Sequence, residues 1–266
     1  MRLLQAHPLL RGSGGSLSET VAERLARIRS RIEGACQRAG RPAGDVVLVG
    51  VSKTQPAEAL AEAFAAGLRI FGENRVQEGL AKSRELPPGL EWHLIGPLQS
   101  NKVRQALDLF RTIHSIDRLK IAEAVDREAG ARGLTIAGFL EINVGGEESK
   151  HGFPAEGLAE AVRTLADLQH LRIQGLMAIP PQGETAEDVR PWFRRLRELR
   201  DELAARPEWR GFPGWLSMGM SDDFEVAIEE GATHVRVGTA LFGPRRPSPP
   251  SPLSQPPSPP PGEGEP

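Results

Sequence analysis

The chain has five lysines, and one of them lies where a side-chain amine could bond covalently to a carbonyl compound. Lys53 closely follows an apolar, β-branched run at Val46–Val51, which predicts a strand buried on both faces. An amine at the end of a desolvated strand is a candidate for a lowered pKa and for Schiff-base formation. A surface lysine that merely ends a strand is the plain alternative, and this stretch alone does not separate the two.

Glycines and hydroxyl side chains follow the last two predicted strands. The first of these loops contains Gly219 and Ser221, and the second contains Gly238 and Thr239. Many α/β barrels bind a phosphate between the loops after strands seven and eight, where backbone N–H groups favour an anion. The competing interpretation is that Ser221 or Asp222 only caps the following helix. Two such loops in the two expected places favour a phosphate site.

A strand-end lysine and a phosphate site together predict a phosphorylated aldehyde held as an imine, and pyridoxal 5′-phosphate fits both features. Arg236 alternates with Val235 and Val237, so its side chain is predicted to point into the sheet's interior. There the guanidinium would donate a hydrogen bond to the pyridine nitrogen and keep that nitrogen unprotonated, which makes the cofactor a weak electron sink. A salt bridge inside the protein is the alternative role for Arg236.

The elements that would position these residues alternate regularly along the chain. Eight apolar runs predict strands, and the segments between them have helical periodicity. This pattern predicts one α/β domain, a (β/α)8 TIM barrel, whereas the rival doubly wound sheet would carry a glycine-rich dinucleotide motif that is missing after the first strand. The predicted strands are Val46–Val51, Arg69–Phe71, Glu91–Leu94, Thr112–Ser115, Ala137–Asn143, Arg172–Met177, Trp215–Ser217 and His234–Val237.

Three regions divide the chain. Residues 1–15 are expected to be a loose leader, residues 16–243 the barrel, and residues 244–266 a disordered tail, since 11 of these last 23 residues are proline. A capping-box pattern at Ser16 and Glu19 predicts an extra N-terminal helix that continues to Gly40.

Composition excludes several functional classes. The net charge of −2 attracts neither nucleic acid nor an anionic membrane, and no apolar run is long enough to span one. The single cysteine excludes a disulfide framework or a cysteine-based metal site, so no metal is expected and a cytoplasmic location fits.

Six motifs carry a resemblance to a known family. In order and spacing they are similar to those of the pyridoxal-phosphate homeostasis proteins, single-domain relatives of the alanine racemase barrel among the fold type III pyridoxal-phosphate proteins. The resemblance covers residues 17–243. The motifs are VSKT at 51–54, FGEN at 71–74, WHLIGPLQSNK at 92–102, GLMA at 175–178, LSMGMSDD at 216–223 and VRVGTALFG at 235–243.

The resemblance implies a role for each of seven residues. Lys53 would hold the cofactor as an internal aldimine, and Arg236 would contact the pyridine nitrogen. A loop lysine, Lys150, is a further candidate for receiving or releasing the cofactor. The implied phosphate contacts are Ser221, Gly238 and Thr239, and the implied ring-pocket residues are Asn74 and Met177.

The resemblance also implies a carrier, not an efficient enzyme. Racemases of this fold would be expected to place a tyrosine opposite the lysine, yet the chain contains no tyrosine, and it ends shortly after strand eight, where their second domain would follow. The expected function is reversible binding of pyridoxal 5′-phosphate and related B6 vitamers for buffering and delivery to apo-enzymes, by a monomer or weak dimer.

Two other functions stay open. One is an amino-acid racemase with an unconventional second base, for which His93 and His114 are candidates, although a core or pocket role is the default for both. The other is a lysine-dependent aldolase acting on a sugar phosphate.

Overall fold

The computed structural model describes residues 19–146, 151–209 and 212–244. The predicted leader at 1–15, Lys150 and residues 245–266 of the predicted tail lie outside these ranges.

The described residues form nine strands, and eight of them close into a parallel barrel. Neighbouring strands follow the order β4-β3-β2-β1-β9-β8-β7-β5, and β4 also pairs with β5, which closes the ring. Strand β6 is a two-residue addition to β5. The predicted TIM barrel is therefore confirmed, with strand ends within two residues of the predicted ones. The strands are β1 Val47–Val51, β2 Ile70–Glu73, β3 Glu91–Leu94, β4 Thr112–Ile116, β5 Ile136–Asn143, β6 Phe153–Pro154, β7 Leu171–Met177, β8 Trp215–Ser217 and β9 His234–Val237.

Helices surround the barrel and connect successive strands. Between β3 and β4 the connection is a 3-10 turn at Ser100–Lys102 followed by a single helical turn. The helices are α1 Val21–Arg38, α2 Ala57–Ala65, α3 Val76–Ser83, α4 Val103–Ala106, α5 Leu119–Ala131, α6 Leu158–Ala166, α7 Arg190–Ala204, α8 Phe224–Glu229 and α9 Thr239–Phe242.

Helix α1 begins later than its sequence pattern predicts. Thr20 caps it, and a reciprocal hydrogen bond joins the Thr20 backbone N–H to the carboxylate of Glu23. The predicted start at Ser16 lies outside the described residues; of the two consecutive S/T-x-x-E patterns, at 16–19 and 20–23, the second caps the described helix. Glu19 instead pairs with arginines of the first two turns. The buried stripe of α1 packs beside α2, α8 and α9, where the first and last strands meet.

No helix in the described ranges is both long enough and apolar enough to cross a membrane.

Candidate functional site

Lys53 lies in a tight turn at the carboxyl end of β1. The backbone N–H of Ser52 donates to the Gly72 carbonyl across to β2 (2.9 Å), and Gln55 N–H closes the turn on the Ser52 carbonyl (3.0 Å). Thr54 has a φ of 61°, a conformation that costs a β-branched residue about 1–2 kcal/mol. The surrounding hydrogen bonds hold this conformation and fix the half-buried Lys53 at the barrel mouth.

A buried ion pair anchors that turn. The Lys82 ammonium donates to the Ser52 carbonyl (2.7 Å) and to Oε1 of Glu73 (2.5 Å), and the Glu73 side chain is fully buried. The Ser52 hydroxyl lies 2.8 Å from the same carboxylate oxygen, and Asn74 N–H donates to the other one. The charged pair therefore connects the Lys53 turn rigidly to the end of β2. The sequence did not identify Lys82, because nothing in the sequence pattern of a helix shows that one of its lysines pairs with a buried carboxylate.

The loops after β8 and β9 are joined by one hydroxyl. Ser221 Oγ accepts hydrogen bonds from the backbone N–H groups of Gly238 (3.3 Å) and Ala240 (3.2 Å), at the start of α9. The alternative that Ser221 or Asp222 caps the helix after its own loop is wrong, since the N-cap of α8 is Asp223 and it makes no side-chain capping bond. The Ser221 hydroxyl thus lies among the backbone amides of the second loop, as a phosphate site between the two loops requires.

Glycine at 219 is a steric requirement of this loop. Its φ is 90°, and a Cβ there would lie 2.6 Å from the Cβ of Ala227 and 2.9 Å from the Cα of Phe224. The close approach packs the loop onto the first turn of α8 and brings the Gly219 carbonyl to the Arg236 N–H (2.9 Å).

Strand register places the lysine turn beside these loops. Gly50 of β1 is paired with Val237 of β9, so the next residues, Val51 and Gly238, lie side by side. A Cβ on Gly238 would lie 3.3 Å from the Cβ of Val51. Lys53 follows two residues later on the same edge, which puts the amine-bearing turn and the two-loop site on adjacent strand ends.

Arg236 points into the barrel, as its alternation predicts. Its guanidinium is 4% exposed and donates to Ser217 Oγ (2.6 Å) and to the Ala178 carbonyl (3.0 Å). Within the described ranges no carboxylate lies at ion-pair distance, so the salt-bridge alternative is not supported. Burial lowers the pKa of Arg236 to about 10, which still leaves the group charged at neutral pH. Burial also raises the pKa of the nearby Glu141 and Asp223 carboxyls.

The ring-pocket candidates lie on opposite sides of the mouth. Met177 is buried at the end of β7, while Asn74 follows β2 and its buried Oδ1 has no hydrogen-bond partner among the described residues. Asn74 also lines a cavity of about 640 Å³, within the usual range for small-molecule sites. The other lining residues are Arg75, Val76, Gln77, Pro97, Leu98, Gln99, Lys102, Asp117, Arg118 and His151. Asn74 therefore lies at a cavity large enough for a small molecule, with an amide oxygen that is itself buried.

The two candidate base residues do not lie at the mouth. His93 and His114 are the third residues of β3 and β4, are buried, and hydrogen-bond to each other (2.9 Å). Their rings lie inside the barrel and not among the mouth residues, because the strands run on past them. The described residues contain no group of histidine, cysteine and carboxylate side chains arranged to hold a metal ion.

Comparison with known families gives a match over most of the chain. Residues 24–246 match the family described as alanine racemase, N-terminal domain. A protein of Aquifex aeolicus named pyridoxal phosphate homeostasis protein is 49% identical over 225 residues, which cover 84% of this chain and 98% of that protein. A protein of the same name from Pseudomonas aeruginosa is 50% identical over 230 residues, covering 85% of this chain and 96% of the other.

A solved structure is similar over the same region. PipY of Synechococcus elongatus, with pyridoxal phosphate bound, is 42% identical and superposes with a TM-score of 0.74, covering 84% of this chain and all of PipY. The same protein without the cofactor gives a TM-score of 0.76.

Proposed function

Because the chain belongs to the family of pyridoxal phosphate homeostasis proteins, we propose that it binds pyridoxal 5′-phosphate reversibly through a Schiff base on Lys53. In this reaction the lysine amine and the cofactor aldehyde form a C=N bond, and the carbonyl oxygen leaves as water. The bound cofactor would be buffered inside the cell and delivered to apo-enzymes, with little turnover of amino acids. One observation carries the proposal: the Lys53 turn and the loops joined by Ser221 lie next to each other at the carboxyl ends of adjacent barrel strands.

The groups at the barrel mouth fit the chemistry of this cofactor. The Ser221 hydroxyl and the Thr239 backbone N–H are donors suited to a phosphate, and the Gly238 N–H holds the Ser221 oxygen beside them. Arg236 supplies a donor that cannot accept, as an unprotonated ring nitrogen requires, and the unpaired Asn74 Oδ1 can accept a hydrogen bond from the ligand. Met177 supplies an apolar contact. When bound, the cofactor supplies a reactive aldehyde and an electron-accepting ring.

The surroundings of the other lysines support Lys53 as the attachment point. The Lys82 side chain is held by the buried Glu73 carboxylate and the Ser52 carbonyl, so its nitrogen is already engaged within the protein. Lys120 is exposed in the first turn of α5, after β4, and β2 and β3 separate β4 from β1. Lys102 lines the cavity beyond β3, on the opposite side of β1 from the Ser221 loop.

Two features favour a carrier over a racemase. The chain contains no tyrosine to act as the second base, and the two candidate histidines, His93 and His114, are bonded to other protein groups inside the barrel. A charged Arg236 at the ring nitrogen would also keep that nitrogen unprotonated, so the bound cofactor would withdraw electrons only weakly from an attached amino acid.

Borohydride reduction followed by peptide mapping tests the proposal. Protein incubated with pyridoxal 5′-phosphate should absorb in the visible range, and reduction should attach one cofactor to the peptide that contains Lys53. Lys53→Ala should abolish both signals, whereas Lys120→Ala, a matched change of an exposed lysine, should leave them unchanged. A colourless wild-type protein would reject cofactor binding and favour the aldolase.

Hydrogen exchange separates carrier from enzyme. Amino acids incubated with the loaded protein in deuterated water should exchange their α-hydrogen no faster than with the cofactor alone. Faster exchange that disappears in Lys53→Ala would reject the carrier.

A further inference from the structure

A continuous chain of hydrogen bonds crosses the barrel interior from Arg236 to Glu91, and we call it the interior relay. Arg236 Nη1 lies 2.6 Å from Ser217 Oγ, which lies 2.7 Å from His114 Nδ1. His114 Nε2 lies 2.9 Å from His93 Nδ1, and His93 Nε2 lies 2.9 Å from Glu91 Oε1. Arg236, Ser217, His114 and His93 are at most 4% exposed, while the Glu91 side chain is 55% exposed at the amino end of β3.

The Arg236 end fixes the direction of the first bond. A guanidinium can only donate, so Ser217 Oγ accepts from it, and the serine hydrogen is available for His114 Nδ1. Burial, followed by the neighbouring His93, His234 and Arg236, lowers the pKa of His114 well below its usual 6.5, so this ring is neutral and holds one hydrogen. When Nδ1 accepts the serine hydrogen, the single ring hydrogen is on Nε2.

The Glu91 end requires the same direction. With hydrogen on Nε2, His114 donates to His93 Nδ1, which leaves His93 to donate from its own Nε2 to the Glu91 carboxylate. This last bond lowers the pKa of Glu91, as expected for a carboxylate that accepts a hydrogen bond. If the bonds ran in the reverse direction, the unprotonated Nε2 of His93 would face the Glu91 carboxylate. Only an additional proton on the hydrogen-bonded groups would prevent this. With one hydrogen on each ring, every donor and acceptor is therefore satisfied in one direction only.

The remaining neighbours of His114 offer no competing partner. Phe139 of β5 stacks on its ring with centroids 4.4 Å apart, and His234 of β9 approaches edge-on at 5.8 Å. His234 itself is 3.0 Å from the Thr233 hydroxyl through Nδ1. The described residues hold no metal-binding group here, so the paired histidines are hydrogen-bonding groups.

We infer that His114 and His93 are positioning residues that act through Ser217 to hold the Arg236 guanidinium in one orientation. Each ring presents an acceptor towards Arg236 and a donor towards Glu91, so the serine lone pair always faces the guanidinium. The importance of this orientation for the cofactor's ring nitrogen rests on the proposed function. The direction of the hydrogen bonds in the interior relay does not depend on the proposed function.

Nitrogen NMR of the cofactor-free protein tests the direction. Long-range proton–nitrogen spectra at pH 7.5 should show both His93 and His114 as neutral rings protonated at Nε2, with the signals assigned from His93→Gln and His114→Gln. Hydrogen on Nδ1 of His114, or a charged ring at either position, would overturn the inference. Since no cofactor is present, this result does not depend on the proposed function.

Two serine variants test whether the relay positions the Arg236 guanidinium. Ser217→Ala removes the link between Arg236 and His114, whereas Ser115→Ala removes another buried hydroxyl that bonds only the Gly96 carbonyl in the described structure. We expect Ser217→Ala to broaden the Arg236 side-chain N–H signals and to weaken pyridoxal 5′-phosphate binding by about tenfold, and Ser115→Ala to do neither. Sharp Arg236 signals in Ser217→Ala would reject positioning.

Conservative rescue at His114 provides the second readout. The amide oxygen of Asn can replace the Nδ1 acceptor for Ser217, so His114→Asn should keep the Arg236 signals sharp and His114→Leu should not. Equal behaviour of the two folded variants would contradict the inference. Wild-type protein with the expected ring states but no cofactor binding would reject the proposed function and leave the relay intact.

Discussion

Replacement of Lys82 by methionine should destabilise the protein strongly although the side chain lies on a surface helix. Lys82→Met keeps the length and most of the volume of the side chain but leaves the fully buried Glu73 carboxylate without its cation. Loss of one partner of a buried ion pair costs about 3–5 kcal/mol of unfolding free energy. Lys82 retains 13% exposure, so we expect the lower end, roughly 3 kcal/mol.

Thermal and urea unfolding measure this effect. A loss of about 3 kcal/mol corresponds to a drop in Tm of about 6–12 °C for a domain of this size. Lys120→Met, at an exposed position of α5, is the control and should change stability by less than about 0.5 kcal/mol.

A double variant tests whether the uncompensated charge is the cause. Glu73→Gln in the Lys82→Met background keeps a side-chain acceptor for Ser52 and removes the buried charge, so it should recover about 1–2 kcal/mol. If Lys82→Met unfolds like wild type, or if the double variant is less stable than Lys82→Met alone, the argument from a buried charge is refuted. Cofactor binding should weaken with Lys82→Met as well, because the Ser52 carbonyl of the Lys53 turn loses its ammonium donor.

Three further outcomes are expected. Burial lowers the pKa of His234 to about 3, so this ring stays neutral in the folded protein while it is protonated in the unfolded chain; stability should fall as pH drops below 6.5, by roughly 3 kcal/mol at pH 4.5 from this group. Urea midpoints for wild type and His234→Gln check this, and parallel pH curves would contradict it. Gly219→Ala should lower the free energy of unfolding by about 2–4 kcal/mol, because of its φ and its clash with Ala227. Gly133→Ala, with φ 63° and open space around it, should lower it by about 1 kcal/mol. Equal losses of Tm in the two variants would refute the steric argument for Gly219. Burial raises the pKa of Cys36, so a disulfide reagent should label native protein slowly and urea-unfolded protein at once, and fast native labelling would show that α1 opens.

The sequence predicts the strands because buried parallel strands have a local signal. Apolar runs such as the one ending at Val51 are bounded by turn residues, and each predicted strand lies within two residues of the observed one. Helix starts are less certain, since Ser16 and Thr20 both begin a capping-box pattern and only packing against the barrel selects the second. The residues that end the strands could be identified as well, because a strand-end position is local information.

Contacts across the barrel have no comparable signal, and the interior relay shows why. Alternation places His93 and His114 on the inner face of their strands, but their partners depend on the stagger between strands. His93 is paired in register with Thr112, so the next inward residue of β4, His114, comes within hydrogen-bonding distance of it. In β8 and β9, Ser217 is paired with His234, which brings Arg236, two residues on, up to the serine hydroxyl. A shift of one residue in either register would turn these side chains to the other face of the sheet. The orientation of Arg236 is therefore a property of barrel closure, whereas the position of Lys53 is a property of the sequence near one strand end.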